Sequence, residues 1–252
     1  MGSYGVGFTL NRGVVAEASI AKKNEVIFNG KPINFPTVAS VIGMLTGKKI
    51  RIRIKSGLPL GCGFGLSGAS ALASSYAVNK LLDLKKTKKE LAIMSHIAEV
   101  KNKTGLGDVV NQYYGGFCIK TVPSSHFAVR KLPINNVDVY CRHFSGISTK
   151  SVISNMQLRK GINSAASIAL GQVQNYAKIN KKIRLGNIIK ISKEFAVRSG
   201  LLKDRRTLKT ISEIEKSNGN ASMIMLGNAV FSDIPFENAV KLRIKDCRAR
   251  AI

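Results

Sequence analysis

A glycine-rich segment, residues 56–71, constrains the fold most, because it has to connect a strand to a helix. Before it, residues 49–55 alternate basic and apolar side chains, the pattern of a strand with one buried face. After it, residues 69–82 are rich in Ala and Leu and contain no Gly or Pro, which predicts a helix. Glycines at alternate positions let backbone N–H groups point into one concavity in front of the helix N-terminus. The sequence therefore predicts an anion-binding turn, and a nucleotide phosphate is its natural ligand.

Spacing separates three loop families that could form such a turn. The string Gly63-x-Gly65-x-x-Gly68 matches a dinucleotide-binding fingerprint, but the acidic residue Glu90 falls at a predicted helix start rather than at the end of a second strand. A Walker loop needs Lys and then Ser or Thr after its last glycine, and Ala69-Ser70 stands there instead. The remaining pattern, Pro-x-Gly-x-Gly-x-Gly-x-Ser at 59–67, resembles the second motif of the GHMP small-molecule kinases. A turn that only connects the strand to the helix is the simpler alternative.

Length and composition place the chain among globular proteins. Its 252 residues, 44% of them hydrophobic, can bury a core in one large domain or two small ones. The sequence has no run of about 18 apolar residues, and its first residues lack the basic and hydrophobic parts of a signal peptide. We therefore expect a cytoplasmic protein that does not cross a membrane. The four cysteines form no Cys-x-x-Cys pair, which argues against a zinc site or a disulfide framework.

The charge of the chain supports a rival function. Lys and Arg number 40 and Asp and Glu 14, and the formal net charge of +26 is typical of RNA-binding proteins. However, the basic residues are spread over most of the chain, aromatic residues make up only 6%, and Trp is absent. A stacking platform for single-stranded nucleic acid is therefore not evident. A basic surface also concentrates small anionic substrates, so we do not expect a nucleic-acid partner and keep it as the alternative.

The remaining patterns predict an α+β fold. Strands are expected at 5–20, 25–33 with a hairpin turn at Asn29-Gly30, 117–122, 137–143, 223–231 and 239–244. Further helices are expected at 36–45, 87–102 with Thr87 and Glu90 as a capping box, 151–176, 185–198 and 204–216. The first half is thus rich in sheet and the second in helix. We place the boundary between two domains near Ser148, which gives domains of residues 1–147 and 148–252.

Phosphoryl transfer needs a held nucleotide, a metal ion between its phosphates, and a group that orients or deprotonates the acceptor. Ser67 stands where the glycine turn becomes the helix, so its hydroxyl could reach a magnesium ion on the phosphates or simply cap the helix. Glu99 is the lone carboxylate of the apolar and basic segment 91–100 and could supply another oxygen ligand. A surface ion pair between Glu99 and Lys103 is the alternative.

Three more side chains could serve the acceptor. Asp108 follows two glycines and is flanked by apolar residues, so partial burial would raise its pKa toward that of a general base. Capping a helix that begins at Val109 is its alternative role. His96 lies three residues before Glu99 and so shares a helical face with it, although a lone helical His is commonly structural. Lys120, on the strand predicted at 117–122, could meet a carboxylate or stay in solvent.

Five strings, in order along nearly the whole chain, resemble the archaeal pantoate kinases, a family within the GHMP kinases. They are GSYGVGF at 2–8, GCGFGLSGA at 61–69, HIAEV at 96–100, GLGDV at 105–109 and ASMIMLG at 221–227. That family phosphorylates the 4-hydroxyl of pantoate with ATP and magnesium to give 4-phosphopantoate, on the archaeal route to coenzyme A. The resemblance implies the GHMP kinase fold, with an N-terminal domain similar to the second domain of ribosomal protein S5, a ferredoxin-like C-terminal domain and the active site between them. A homoserine or mevalonate kinase, or a non-catalytic RNA-binding protein of related fold, is the alternative.

Position by position, the resemblance implies a role for each candidate. Ser67 and Glu99 would hold the magnesium nucleotide, Asp108 would act on the pantoate hydroxyl, and three residues would contact pantoate: Ser3, His96 and Lys120. The phosphate-binding residues would be Gly61, Cys62, Gly63, Phe64, Gly65, Leu66, Ser67, Gly68 and Ala69. ATP and pantoate are the expected partners and Mg²⁺ the expected cofactor. The sequence does not determine the oligomeric state, and a homodimer is one possible assembly.

Three features depart from the family pattern. Arg is usual at the position of Lys120, and a Lys would offer pantoate a point charge instead of a bidentate grip. The third motif is normally a run of glycines, but residues 222–228 contain one glycine. Members also carry a further strand before the segment that matches Gly2-Ser3, where this sequence begins.

Overall fold

Helices and strands both contribute to the described part of the chain, which comprises residues 2–123, 126–180 and 182–251 of the computed structural model. The strands are Gly5–Phe8 (β1), Val14–Ile20 (β2), Glu25–Phe28 (β3), Lys31–Pro32 (β4), Ile50–Ser56 (β5), Phe117–Lys120 (β6), Arg130–Leu132 (β7), Val137–Gly146 (β8), Ala221–Met223 (β9), Gly227–Ser232 (β10) and Val240–Ile244 (β11). The helices are Pro36–Leu45 (α1), Leu66–Leu81 (α2), Lys88–Asn102 (α3), Asp108–Tyr114 (α4), Thr149–Ser154 (α5), Met156–Ile179 (α6), Leu185–Arg198 (α7) and Arg205–Lys216 (α8). This content confirms the predicted α+β class.

One sheet, in the order β2-β5-β3-β4, ends at the glycine-rich turn. Its strand β5 buries Ile50, Ile52 and Ile54 completely or nearly so, and helices α1, α2 and α3 contribute to the same hydrophobic core. The predicted strand with one buried face is therefore confirmed. The β3–β4 hairpin turns at Asn29-Gly30, whose φ values of 48° and 81° are the left-handed pair that such a turn requires.

The N-terminal strand connects the two other sheets. Their strand orders are β1-β6-β7 and β11-β8-β10-β9. Just beyond β1, Leu10 forms a bridge with Ile244 of β11. Next to this bridge, the Lys245 N–H donates to the Thr9 carbonyl at 3.0 Å, and Thr9 Oγ1 donates to the Lys245 carbonyl at 2.6 Å. The sheet that carries Lys120 is thereby fixed to the sheet of the C-terminal half, while the domain boundary near Ser148 stays a prediction.

The helices of the C-terminal half differ from the prediction at one point. The sequence predicts a single helix at 151–176, but the structure has α5 and α6, separated at Asn155. The Asn155 backbone is extended, and its side chain accepts a hydrogen bond from the Leu158 N–H at 3.0 Å. The prediction of one helix is wrong because Asn155 ends α5 and caps α6 at the same residue.

Helix ends elsewhere follow local rules. The Glu90 carboxylate accepts a hydrogen bond from the Thr87 N–H at 2.7 Å and Thr87 Oγ1 accepts one from the Glu90 N–H at 3.2 Å, so the predicted capping box is confirmed. Helix α2 begins at Leu66, earlier than predicted, with the left-handed Gly65 as its N-cap.

The short strand β7, which pairs with β6, was not predicted. Of the helices described, none is both long and apolar enough to cross a bilayer.

Candidate active site

The glycine-rich turn leads from the end of β5 into α2. Gly61, Gly63 and Gly65 have φ values of 79°, 86° and 65°, which residues with side chains rarely adopt. Within the described residues, the backbone N–H groups of Gly63 and Gly65 make no hydrogen bond to protein. They precede the first turn of α2, whose N–H groups also lack partners within the helix. The turn therefore has the form of an anion cradle.

Residues of the C-terminal half pack against this turn. A Cβ atom on Gly227 would lie 2.2 Å from the Cys62 carbonyl oxygen, and one on Gly63 would lie 2.9 Å from Ile224 Cγ2. On the β8 side, a Cβ on Gly146 would lie 2.7 Å from the Gly61 carbonyl oxygen. The segment that matches the third motif thus contacts the backbone of the turn, and its glycine stands at the closest approach.

A chain of hydroxyl groups connects Ser67 with Glu99. Ser67 Oγ donates to Thr37 Oγ1 at 3.3 Å, the Thr37 and Thr104 hydroxyls are 2.9 Å apart, and Thr104 Oγ1 donates to Glu99 Oε1 at 3.4 Å. The cap of α2 is Gly65, without a side-chain hydrogen bond, so the alternative role of Ser67 as a helix cap is wrong. Its hydroxyl instead lies at the junction of α1 and α2.

Glu99 is wholly buried, with an exposed fraction of 0%. The alternative of a surface pair with Lys103 is wrong, since Lys103 Nζ donates to Ser154 Oγ at 3.0 Å. Two glycines make room for the carboxylate: a Cβ on Gly68 would lie 2.8 Å from Glu99 Oε2 and one on Gly105 only 2.5 Å from it. The side chain therefore fills a slot between the start of α2 and the turn after α3.

One side-chain oxygen of Glu99 lacks a hydrogen-bond donor among the described residues. Its Oε2 atom is buried and makes no hydrogen bond to the described residues. Burial, and then the negative charge of Asp108, raise the pKa of Glu99 to about 8, against the smaller opposing effects of nearby hydroxyls and of Lys120. A buried acceptor without a donor is costly in free energy. A bound cation would supply the missing partner of this oxygen.

The oxygen atoms of Ser67 and Glu99 suit a divalent cation that arrives with a nucleotide. Among the described residues, no group of three His, Cys, Asp or Glu side chains could hold a metal by itself. Mg²⁺, however, is usually bound by one or two protein oxygens together with water and substrate phosphates. The residues present therefore fit Mg²⁺ in company with phosphates, and less well a permanent structural metal.

Gly105→Ala is expected to displace Glu99 and to destabilise the protein, because the new Cβ would lie 2.5 Å from Oε2 and 2.8 Å from Cδ of Glu99. Overpacking of this kind costs about 1–3 kcal/mol, which lowers the melting temperature by several degrees. Gly43→Ala in α1 is the matched control, since a Cβ there meets no atom within 4 Å and Ala is the better helix former. Thermal denaturation compares the two variants. Equal melting temperatures of Gly105→Ala and wild type would contradict the tight slot around Glu99.

Asp108 begins α4 directly beside the glycine turn. Gly107 is the N-cap of α4, so the alternative of Asp108 as the cap of a helix starting at Val109 is wrong. A Cβ on Gly65 would lie 3.3 Å from Asp108 Cγ, which places the carboxyl group against the turn. Asp108 itself is exposed, so its predicted partial burial is wrong, although protein atoms are packed densely around its carboxyl group. Desolvation there raises the pKa of Asp108, and the positive charge of Lys120 opposes this rise.

Lys120 and Ser3 are held at the turn that precedes Asp108. Lys120 is only 5% exposed, so the alternative of a solvated lysine is wrong. Its Nζ donates to the Gly107 carbonyl at 2.9 Å. Burial lowers the pKa of Lys120, and the negative charge of Asp108 is the largest opposing effect. The Ser3 N–H donates to the Leu106 carbonyl at 3.1 Å, which brings the N-terminal segment to the same turn.

His96 lies on the buried face of α3, one turn before Glu99, and is 4% exposed. Its ring packs edge-on against Phe127, with 5.9 Å between the ring centroids, and Phe127 packs in the same manner against Tyr113 at 5.7 Å. The structure thus places His96 in an aromatic cluster with Phe127 and Tyr113. Its contact with a substrate stays a prediction.

Three polar residues of the site were not indicated by the sequence analysis. Thr37 and Thr104 extend the hydrogen-bond chain between Ser67 and Glu99. Gln112 Nε2 donates to the Gly65 carbonyl at 2.8 Å. The threonines come from distant parts of the chain, and no local pattern marks them. Gln112 could have been found, because a residue four positions after Asp108 shares its helical face.

Comparisons with known proteins find similar sequences and a similar fold over most of the chain. The family model for the GHMP kinases N terminal domain matches residues 36–116. The pantoate kinase of Methanocaldococcus jannaschii is 34% identical over 236 residues, which cover 91% of this chain and 83% of that protein. The pantoate kinase of Methanospirillum hungatei is 30% identical over 241 residues, covering 92% and 78%. A solved structure titled "Phosphotransferase related to CoA biosynthesis pathway" has a TM-score of 0.81 at 24% identity and covers 98% of this chain and 88% of its own, which shows a shared fold.

Proposed function

This chain belongs to the pantoate kinase family of the GHMP kinases, and we propose that it transfers the γ-phosphoryl group of ATP to the 4-hydroxyl of pantoate. The product would be 4-phosphopantoate, on the archaeal route to coenzyme A. The family and the GHMP fold that the sequence resemblance implied are confirmed by the relatives and the shared fold. The observation that supports the reaction most directly is the carboxyl group of Asp108 against the glycine turn, since phosphoryl transfer needs an acceptor-orienting group next to the phosphates.

We assign the nucleotide phosphates to the turn and the start of α2, residues 61–69. Positive φ angles open the turn, and the N–H groups of Gly63 and Gly65 are available to phosphate oxygens. Ser67 and Glu99 would hold Mg²⁺ through their oxygen atoms. When bound, the ion would neutralise charge on the phosphates and favour departure of ADP.

The acceptor side belongs to Asp108 and its neighbours. Asp108 would orient the acceptor hydroxyl and accept its proton, and a raised pKa makes the carboxylate a better base. Lys120 would offset negative charge beside Asp108 and bind the carboxylate of pantoate as a point charge. Ser3 and His96 are the further pantoate contacts that we propose. Two carboxyl groups in this cleft would repel a nucleic-acid backbone, which weighs against RNA binding at this site.

A panel of acceptors tests the function. With Mg²⁺ and ATP, the purified protein is expected to release ADP with pantoate at a kcat/KM roughly a hundredfold above the values with pantothenate, homoserine or mevalonate, because the site would hydrogen-bond groups that these compounds lack or misplace. Chelation of the metal should abolish turnover. A preference for homoserine or mevalonate would support kinase activity but contradict pantoate as the acceptor. RNA binding without ATP turnover on any acceptor would overturn the proposed function itself.

A further inference from the structure

Gln112 links the two catalytic parts of the cleft. It lies on α4 one turn after Asp108, and its Nε2 donates to the Gly65 carbonyl at 2.8 Å. Both side chains meet the same face of Gly65: a Cβ there would lie 3.2 Å from Gln112 Nε2 and 3.3 Å from Asp108 Cγ. The opposite amide oxygen of Gln112 is buried and makes no hydrogen bond to the described residues. The side chain is therefore held at the turn by the Nε2 contact.

Gly65 is the point at which the glycine turn becomes a helix. Its carbonyl also accepts the first helical hydrogen bond of α2, from the Ala69 N–H at 3.1 Å. Its φ of 65° is easily adopted by glycine, but glycine has no side chain to hold it there. A second donor on this carbonyl thus fixes the orientation of the Gly65–Leu66 peptide. This peptide lies within the phosphate-binding residues 61–69.

The chain after β11 holds the other end of α4. The Ala249 N–H donates to the Gln112 carbonyl at 3.0 Å. A Cβ on Gly115, just after α4, would lie 2.9 Å from both Asp246 Oδ1 and the Cys247 carbonyl oxygen. Helix α4 is therefore pinned at its backbone by the C-terminal segment and at the Gln112 side chain by the glycine turn.

We propose that Gln112 is a positioning residue that sets the separation between Asp108 and the phosphate-binding turn. Its amide acts as a fixed spacer: α4 carries Asp108, and the hydrogen bond to Gly65 locks α4 to the turn. This inference rests on the proposed kinase function. Misplacement of a reacting group by about 1 Å can cost a hundredfold in rate, so a spacer of this kind affects catalysis more than folding.

Gln112→Met tests the inference, since Met has a similar length and shape but no donor. We expect kcat to fall by about tenfold to a hundredfold, while the KM for pantoate stays within about threefold of wild type. Gln112→Glu keeps the shape and turns an acceptor toward the Gly65 carbonyl, so it should lower kcat at least as much. Rates are referred to the concentration of nucleotide-binding sites measured by titration with a non-hydrolysable ATP analogue, which removes any effect of misfolded protein.

Gln172→Met is the matched control, because Gln172 on α6 also spends one side-chain hydrogen bond, to Glu194 Oε2 at 3.1 Å. It should keep the kcat of wild type. A kcat of Gln112→Met within twofold of wild type, or an equal loss in Gln172→Met, would overturn the inference. Failure of the proposed function is seen separately, as wild-type protein that binds the ATP analogue but does not turn over with pantoate. In that case, the affinity of Gln112→Met for the ATP analogue tests whether the Gln112 side chain holds the glycine turn in place. An affinity equal to that of wild type would overturn the inference.

Discussion

Replacing Asp108 by Asn is expected to lower kcat with pantoate by about a thousandfold, within the range that a general base contributes. Asn has the shape of Asp but cannot accept the proton of the acceptor hydroxyl. The affinity for Mg-ATP should stay within a few-fold of wild type, because the side chain meets the glycine turn by packing against Gly65. An ADP-release assay gives kcat, and calorimetric titration with a non-hydrolysable ATP analogue gives the affinity.

Asp83→Asn provides the control for this experiment. Asp83 lies on the surface between α2 and α3, and its carboxylate pairs with Lys85 Nζ at 2.8 Å. The change removes the same charge far from any group assigned to catalysis, and kcat should not change. An Asp108→Asn enzyme that keeps a tenth or more of the wild-type kcat would remove Asp108 as the base. A matching loss of nucleotide affinity would assign the residue to nucleotide binding instead.

Local sequence rules predicted the parts of this fold that local interactions determine. The alternating strand β5, the hairpin at Asn29-Gly30 and the capping box at Thr87 and Glu90 each depend on residues a few positions apart. The glycine turn belongs to the same class, since its positive φ angles follow from the glycines themselves. Asn155 shows the limit of such rules. It stands inside an otherwise helical pattern, and its extended backbone and the hydrogen bond that its side chain accepts from the Leu158 N–H show in the structure that a new helix begins there.

The burial of Glu99 could not be predicted, because it depends on contacts between distant segments. Its basic neighbours along α3 indicated a surface position, and the slot that holds it is made by Gly68 and Gly105, which lie in different parts of the chain. Lys120 is similar. A lysine that ends a short strand is commonly solvated, and its burial follows from the approach of the turn that contains Gly107. Their positions in the sequence and the family resemblance identified these residues as candidates, whereas tertiary packing determined their charge environment.

Glu99→Gln is expected to weaken binding of ATP in the presence of Mg²⁺ by about tenfold or more, because the variant loses a charged oxygen ligand. Without Mg²⁺, the two proteins should bind the nucleotide with similar affinity, since Gln occupies the same slot between Gly68 and Gly105. Titration of each protein with a non-hydrolysable ATP analogue, with and without Mg²⁺, measures both affinities. The same gain on adding Mg²⁺ in variant and wild type would remove Glu99 as a metal ligand.

The same substitution should stabilise the ligand-free protein at alkaline pH. In the unfolded chain Glu99 ionises near its ordinary pKa of 4.5, whereas in the fold burial and Asp108 raise this pKa to about 8. Between these values the folded state keeps a proton that the unfolded state loses, so stability falls as the pH rises, by at most about 1.4 kcal/mol per pH unit. Gln has no such proton, and the melting temperature of Glu99→Gln should therefore exceed that of wild type by a margin that grows from pH 5 to pH 8. Parallel curves of melting temperature against pH for Glu99→Gln and wild type would contradict a buried, protonated Glu99. They would also contradict the idea that burial of this carboxyl group lowers the stability of the free protein and leaves the group able to bind a metal ion.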